Sequence, residues 1–341
     1  MSADTEMIPI RIDQLEALGG ELMLLPEIES LSEFETLLQL EKVTTRMSES
    51  ETWKIDYCRE VDMTNKANHF KTVPSKATLP LLEGRMVHAF TSKAKEYFSG
   101  EGRSAVWSIN SDSKREYEAL VHYHMPKHKI KKEALSRISK PRIAIRDIVG
   151  QTNERTMMAV LIPADVCCGN KVPTFLLPHF DDDEKLNIKA QKVWTCVANS
   201  FVFDWVARKF VTTSMNKFIL DILRIPNKIV PGSKEWKKLV ELYDKMEAEE
   251  FMSLGWGKIR AEIDATVANS CLLDIATMGQ ILDSFPLIDK KEHPIRDEKH
   301  STVTKDSVLS AMGSKRSEKR CEEAFEQGAI PYRPAGLIPK K

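Results

Sequence analysis

The chain has 341 residues, and its 50 Lys and Arg residues balance 50 Asp and Glu residues, so net charge alone selects no class of partner. This length suffices for two or three domains with a sizeable core. No secretion signal opens the sequence, and its apolar runs are far shorter than the roughly 18 residues of a transmembrane helix. With six cysteines and no C-x-x-C pair, the sequence predicts a reduced, cytoplasmic protein without a membrane partner.

The first two predicted regions differ in composition. Residues 1–50 are acidic, and the near-helical spacing of apolar residues in 31–43 predicts a helix within this lead-in. Residues 51–230 alternate short strands with helices. Alternating apolar and polar residues from Trp53 to Cys58 predict a strand, and a four-residue apolar repeat predicts a long helix that ends near Lys209 or Phe210.

Prolines and a glycine in residues 226–232 mark the best candidate boundary. Residues 231–312 then contain three amphipathic helical patterns and form a predicted helical C-terminal unit. For the charged, Pro- and Gly-containing tail at 313–341 we expect little order. Together these patterns predict a mixed α+β fold in which helices pack on a sheet.

Residues 141–163 predict a β-hairpin. In the first strand the two-residue period places Arg142, Ala144 and Arg146 on one face and Ile143 and Ile145 on the other. The return strand is continuously apolar and therefore predicted to be buried on both faces. Guanidinium groups held beside a core suit phosphate or a base edge. A sheet edge with solvated arginines fits the same pattern equally well.

The hairpin follows a basic segment. Residues 114–146 contain ten Lys and Arg residues against three Glu residues, including the closely spaced Lys127, Lys129, Lys131 and Lys132. A local excess of this kind attracts polyanions even in a neutral chain. The alternative is an ordinary solvated surface balanced by the acidic N-terminal region.

Motifs for catalysis are weak or absent. Phe98–Gly102 matches the F-x-G-x-G turn that holds S-adenosylmethionine in amino-group methyltransferases, but the partner motif that grips the target amine is absent. The histidines at 122–128 fit no common zinc spacing, and neither a Walker loop nor a nuclease triad is present. We therefore expect no catalytic, cofactor or metal residue in this chain. A complete enzyme that uses Phe98–Gly102 for cofactor remains an alternative.

Five segments in order resemble the C-terminal half of type IIG restriction–modification enzymes and related adenine-specific DNA methyltransferases of phage-defence systems. They lie at 52–70, 79–100, 141–163, 197–226 and 256–286. The chain departs from that family where SCLLD replaces a Leu-Tyr-Gly turn, and at Arg85, where lysine is common. The family's catalytic domain has no counterpart here.

The resemblance implies that 51–230 form a DNA target recognition domain with a target-recognition-type sheet. The implied partners are double-stranded DNA and a separately encoded adenine methyltransferase or methyltransferase–nuclease, which would carry the S-adenosylmethionine. The residues expected to contact DNA are Arg85, His88, Lys127, Lys129, Lys131, Lys132, Arg142, Arg146, Asn153 and Arg155. Base-reading residues are expected within 108–140.

Two alternatives stay open for the function. The chain could assemble or regulate such a defence complex through its acidic N-terminal and C-terminal helices without reading DNA, or be the product of a split or truncated gene. For individual residues a structural role competes with DNA contact: Asp147, for example, could pair with Arg146 or Arg155.

Overall fold

The computed structural model describes residues 7–295 and 298–338 and has the predicted mixed α+β fold. Its helices are α1 (Ile12–Gly19), α2 (Leu31–Val43), α3 (Lys132–Ile138), α4 (Glu184–Ala198), α5 (Phe201–Arg208), α6 (Lys217–Ile222), α7 (Lys234–Ala248), α8 (Leu254–Ser270), α9 (Ile275–Asp283), α10 (Val303–Ala311) and α11 (Lys315–Glu326). Within these described ranges, no helix has the length and apolar character needed to cross a bilayer.

The strands are short and form four small sheets. They are β1 (Thr44–Arg46), β2 (Asp56–Cys58), β3 (Thr78–Leu82), β4 (Lys95–Ser99), β5 (Val106–Ile109), β6 (Tyr123–Pro126), β7 (Arg142–Ile145), β8 (Ala159–Ile162), β9 (Cys167–Cys168), β10 (Thr174–Leu176) and β11 (Arg224–Pro226). The largest sheet has the order β2-β10-β7-β8, the second has the order β6-β3-β9, and β1-β11 and β4-β5 form pairs.

The predicted hairpin is present as β7 and β8, which pair antiparallel from Arg142 opposite Ile162 to Ile145 opposite Ala159. The two faces of β7 enter different cores. Ile143 and Ile145 belong to the main core, whereas Ala144 belongs to a second core that includes residues around β3 and β9. Because β7 is covered on both sides, its alternating sequence does not mark one face as solvent.

The main core joins residues from every predicted region of the chain. It includes Leu37 of α2, Trp194 of α4, Trp256 of α8 and Tyr332 near the C-terminus, all nearly inaccessible to solvent. The helices α4, α5, α7, α8 and α9 supply most of it. One continuous core therefore fixes the sheet, the helices and the C-terminal residues relative to one another.

The long helix predicted up to Lys209 or Phe210 is two helices, which corrects that prediction. The break falls at Asn199 and Ser200, between α4 and α5. The Ser200 hydroxyl caps α5 by accepting a bond from the Phe203 N–H. The Asn199 side chain accepts a bond from the Ala159 N–H and donates one to the Ala159 carbonyl. The break thus attaches the helical layer to β8.

The C-terminal tail also differs from the expectation of little order. Residues 315–326 form α11, which is capped by Ser314. Beyond it, the Tyr332 hydroxyl donates to the buried Asp264 carboxylate, 2.7 Å away. Arg333 pairs with Glu292, and the Ala335 N–H donates to Glu154. We call residues 332–338 the C-terminal strap. The sequence hides this order because the strap's polar side-chain partners lie 28 to 181 residues away in the chain.

Candidate nucleic-acid interface

A tight turn after β3 carries three basic side chains toward the β7–β8 hairpin. His88 and Thr91 exchange backbone hydrogen bonds across this turn, and Phe90 within it has a φ of 64°. The Phe90 N–H donates to the Ala159 carbonyl of β8. Because this bond anchors the turn to β8, Arg85, His88 and Lys95 lie beside the hairpin.

The hairpin loop supplies the opposite side. Arg146 extends the β7–β8 pairing through its N–H, which donates to the Met158 carbonyl. The buried Asp204 carboxylate then accepts bonds from the Thr156 and Met157 N–H groups. Arg208 donates to the carbonyl groups of residues 153 and 154. These contacts hold the loop in one conformation.

The two sides enclose a solvent-open cleft of about 220 Å³, which we call the Arg146 cleft. Four residues that the sequence nominated line it together: Arg85, His88, Arg146 and Asn153. Sequence reasoning missed Lys95 and Glu154. The remaining lining residues are Val87, Ala94, Met158, Pro334, Gly336 and Leu337, the last three from the C-terminal strap.

The cations of the cleft are crowded, and the Glu154 carboxyl group that lines the same cleft forms no ion pair with any of them. Arg85 donates to the Ala105 carbonyl, and within residues 7–295 and 298–338 neither it nor Lys95 nor Arg146 forms an ion pair. Burial and then the Arg85 charge lower the pKa of Arg146. Burial, Arg146 and Arg85 lower the pKa of Lys95. Like charges held together in a half-buried site favour an anion.

Asp147 does not relieve this crowding. Its carboxylate pairs with Arg59 at 3.0 Å and with Lys171 at 3.4 Å. The sequence left Arg146 or Arg155 as its possible partners, and the structure corrects this. Asp147 therefore faces Arg59, which follows β2, and Lys171, which precedes β10.

At pH 7, His88 in the cleft is neutral and Glu154 is about half ionised. Burial, followed by the charges of Arg260 and Arg146, lowers the pKa of His88 to about 3. Its buried Nδ1 has no hydrogen-bond partner in the part of the chain described. Burial raises the pKa of Glu154 to about 7, even though the Ala335 N–H donates to its carboxyl group. The cleft therefore offers polar groups that can donate or accept hydrogen bonds as well as cations.

Arg142 is not available for DNA, which corrects its nomination. Its side chain is fully buried and forms two bonds to the equally buried Glu60, of 2.5 Å from Nε and 2.8 Å from Nη2. It also donates to the Val166 carbonyl at 2.6 Å. The sheet β6-β3-β9 and its core cover this end of β7, so the guanidinium group holds β7 to Glu60 and the chain before β9.

Arg155 is likewise internal. It pairs with the buried Asp204, donates to the Asn199 carbonyl, and lies 4.2 Å over the Phe201 ring. Its side chain is only 5% exposed, so it does not reach solvent as a DNA contact. It instead helps to position the loop that carries Asn153 and Glu154.

The four nominated lysines lie outside the Arg146 cleft. Lys127, Lys129, Lys131 and Lys132 are exposed on the segment between β6 and α3. The Lys127 N–H donates to the Ala77 carbonyl, at the start of β3, whereas Arg85 follows the end of β3. Desolvation lowers the pKa of His69, and the charges of four neighbouring groups lower it further: Lys129, Lys66, His128 and Lys71. These groups therefore lie on one surface. We call this surface the lysine patch.

Phe98–Gly102 forms the end of the β4–β5 hairpin. Gly100 and Gly102 have positive φ values of 79° and 53°, as a tight turn requires. Lys95–Ser99 is strand β4, and Phe98 is 72% exposed. Here the glycines turn a surface hairpin and are not preceded by the buried strand that a cofactor turn needs. In the described ranges, no group of three or more His, Cys, Asp or Glu residues could hold a metal ion.

Comparison with known proteins adds no assignment. The chain matches no protein-family model, and no curated protein shows significant similarity to it.

Proposed function

We propose that this chain is a DNA-sequence specificity subunit that positions a separately encoded adenine methyltransferase or methyltransferase–nuclease on double-stranded DNA. The observation that carries the proposal is the unpaired group of Arg85, Lys95 and Arg146 in the Arg146 cleft. Crowded cations without ion-pair partners destabilise a fold unless an anion binds between them. Backbone phosphates are the anions that every DNA-binding surface must hold.

The lysine patch lies near the opposite end of β3 from the Arg146 cleft. From Ala77 to Arg85 the chain advances eight residues, which at roughly 3.3 Å per residue spans at most about 26 Å. B-DNA rises about 3.4 Å per base pair, so this span corresponds to at most about eight base pairs, less than one helical turn. A single short site could therefore contact both basic surfaces. The segment 108–140, expected to read bases, runs from the end of β5 through β6 and α3 to the residues just before β7.

The test is fluorescence anisotropy with a 30-base-pair duplex, the full chain, and salt at 50 and 200 mM. We expect Arg146→Ala to weaken binding about 10- to 100-fold at low salt, because a charge-assisted bond contributes about 1.5–3 kcal/mol. It should also reduce the slope of log affinity against log salt by about 1. Lys237→Ala is the matched control, since Lys237 is exposed on α7 in the helical layer.

Equal losses in Arg146→Ala and Lys237→Ala would refute a specific role for the cleft. Absence of DNA binding by the wild-type chain, alone and with the methyltransferase encoded beside it, would refute the proposed function. Specificity is assayed on the same duplexes, with a library of sequences competing for the complex.

One observation favours the second candidate, an assembly or regulatory protein. The N-terminal segment exposes several large apolar side chains: Met7, Ile12, Leu22, Met23, Leu25 and Leu31 are 45–91% exposed. An exposed apolar surface among acidic residues suits a protein partner better than DNA. Retained DNA affinity in Arg146→Ala, together with loss of complex assembly in Leu22→Ser with Leu25→Ser, would favour this candidate.

A further inference from the structure

The Arg146 cleft contains more than a phosphate site needs. One side of the cleft is formed by Arg85, His88 and Lys95, which follow β3, and the second side by the β7–β8 loop, which contributes Arg146, Asn153 and Glu154. On this second side, the Ala335 N–H donates a hydrogen bond to the Glu154 carboxyl group.

The second side offers groups that recognise the edge of a base. The Asn153 side chain is exposed in the cleft and has no hydrogen-bond partner among the described residues. An Asn amide and a carboxyl group both pair with a base that presents an amino group beside a ring nitrogen. Val87, Met158 and Leu337 supply apolar surface for the faces of such a base.

The cleft has a volume of about 220 Å³ and opens to solvent, so part of a bound ligand can extend beyond it. The C-terminal strap forms one wall, fixed by the bonds from Tyr332 to Asp264 and from Ala335 to Glu154, so the site exists before any ligand binds.

We propose that the Arg146 cleft holds a single nucleotide unit, with its phosphate against Arg85, Lys95 and Arg146 and its base edge toward Asn153 and Glu154. The unit has two possible sources, a free nucleotide and an unpaired nucleotide of a DNA chain. The second source rests on the proposed function, because it requires that the protein binds DNA. The first source does not.

The experiment uses the full chain and isothermal titration with dAMP, dTMP, deoxyadenosine and inorganic phosphate. We expect dAMP to bind at least 10-fold more tightly than deoxyadenosine or phosphate, because only dAMP reaches both sides.

Arg146→Ala should reduce dAMP affinity to that of deoxyadenosine, and Lys95→Ala serves as a second variant if Arg146→Ala does not fold. Asn153→Ala should remove the preference for dAMP over dTMP and leave phosphate affinity unchanged. Lys237→Ala should change none of these values.

A second experiment distinguishes a free nucleotide from an unpaired nucleotide of DNA. It uses duplex and single-stranded oligonucleotides that carry 2-aminopurine, whose fluorescence rises when the base leaves the stack. A rise that Arg146→Ala and Asn153→Ala both abolish supports an unpaired nucleotide of DNA. Binding of dAMP without that rise supports a free nucleotide. Phosphate binding as tight as that of dAMP, or no dAMP binding and no rise, would overturn the nucleotide proposal. DNA binding in the anisotropy assay would still stand in that case, so the two proposals fail separately.

Discussion

Arg142 and Arg146 lie on the same face of β7 and its extension, yet their replacement should have opposite consequences. Arg142→Met leaves the fully buried Glu60 carboxylate without its cation. Loss of one partner from a buried ion pair typically costs about 3–5 kcal/mol. Arg146→Met removes a cation that has no acidic partner and is repelled by Arg85, so the free energy of unfolding should change by less than about 0.5 kcal/mol.

Thermal unfolding converts this difference into temperature. Unfolding entropy is about 2.1 cal/mol/K per residue, or roughly 0.7 kcal/mol/K for 341 residues. Arg142→Met should therefore lower Tm by about 4–7 °C, and Arg146→Met by less than about 1 °C. The assay is calorimetry or tryptophan fluorescence on the full chain, with reversibility checked by a second scan.

Either of two results would refute this reasoning. A Tm of Arg142→Met within 1 °C of the wild-type value would mean that the pair with Glu60 adds little to stability. An equal loss in Arg146→Met would mean that Arg146 supports the fold, and the cleft would then lose the feature that identifies it as an anion site. Arg142→Met should also keep DNA affinity at temperatures where it remains folded, because its side chain does not reach solvent.

Two further predictions concern stability. Ser200→Ala removes the cap of α5 and should lower the free energy of unfolding, measured by urea titration, by about 1–2 kcal/mol. Ser233→Ala at the less buried cap of α7 should cost less, and equal losses in the two variants would contradict this prediction. Burial raises the pKa of Asp289 to about 7 in the folded protein, compared with about 3.9 in the unfolded chain. The neutral carboxyl group therefore stabilises the fold, and its contribution to the free energy of unfolding is lost as the pH rises from 4 to 7. The free energy of unfolding of the wild type should thus fall relative to Asp289→Asn by about 1.4 kcal/mol per pH unit, and parallel pH profiles would contradict the assignment.

Local sequence patterns predicted much of the fold because they depend on near neighbours. Helix α2 has the predicted span of 31–43, and the β7–β8 hairpin forms with the predicted opposition of Ile143 and Ala144. Local patterns were insufficient where distant residues decide the outcome. The helix break at Ser200 depends on β8, and the order of the strap depends on Asp264 and Glu154.

The same limit explains which site residues could be nominated. Arg142 and Arg146 have the same residue type and face on an extended strand, so no local rule separates them. The second sheet covers one end of β7 and leaves the other open. Glu60, 82 residues before Arg142, supplies the carboxylate that makes Arg142 structural. Arg146 lacks such a partner among the described residues because Asp147 is engaged by Arg59 and Lys171.

In this protein, a charge without an ion-pair partner therefore indicates a binding site better than a basic composition does. The buried arginines at 142 and 155 each have a carboxylate, and each holds the fold. Within the described part of the chain, the cations of the Arg146 cleft form no ion pair, although the chain has 50 acidic residues. Because Arg142 and Arg155 are paired and the three neighbouring cations of the cleft form no ion pair among the described residues, we expect the cleft to bind an anion.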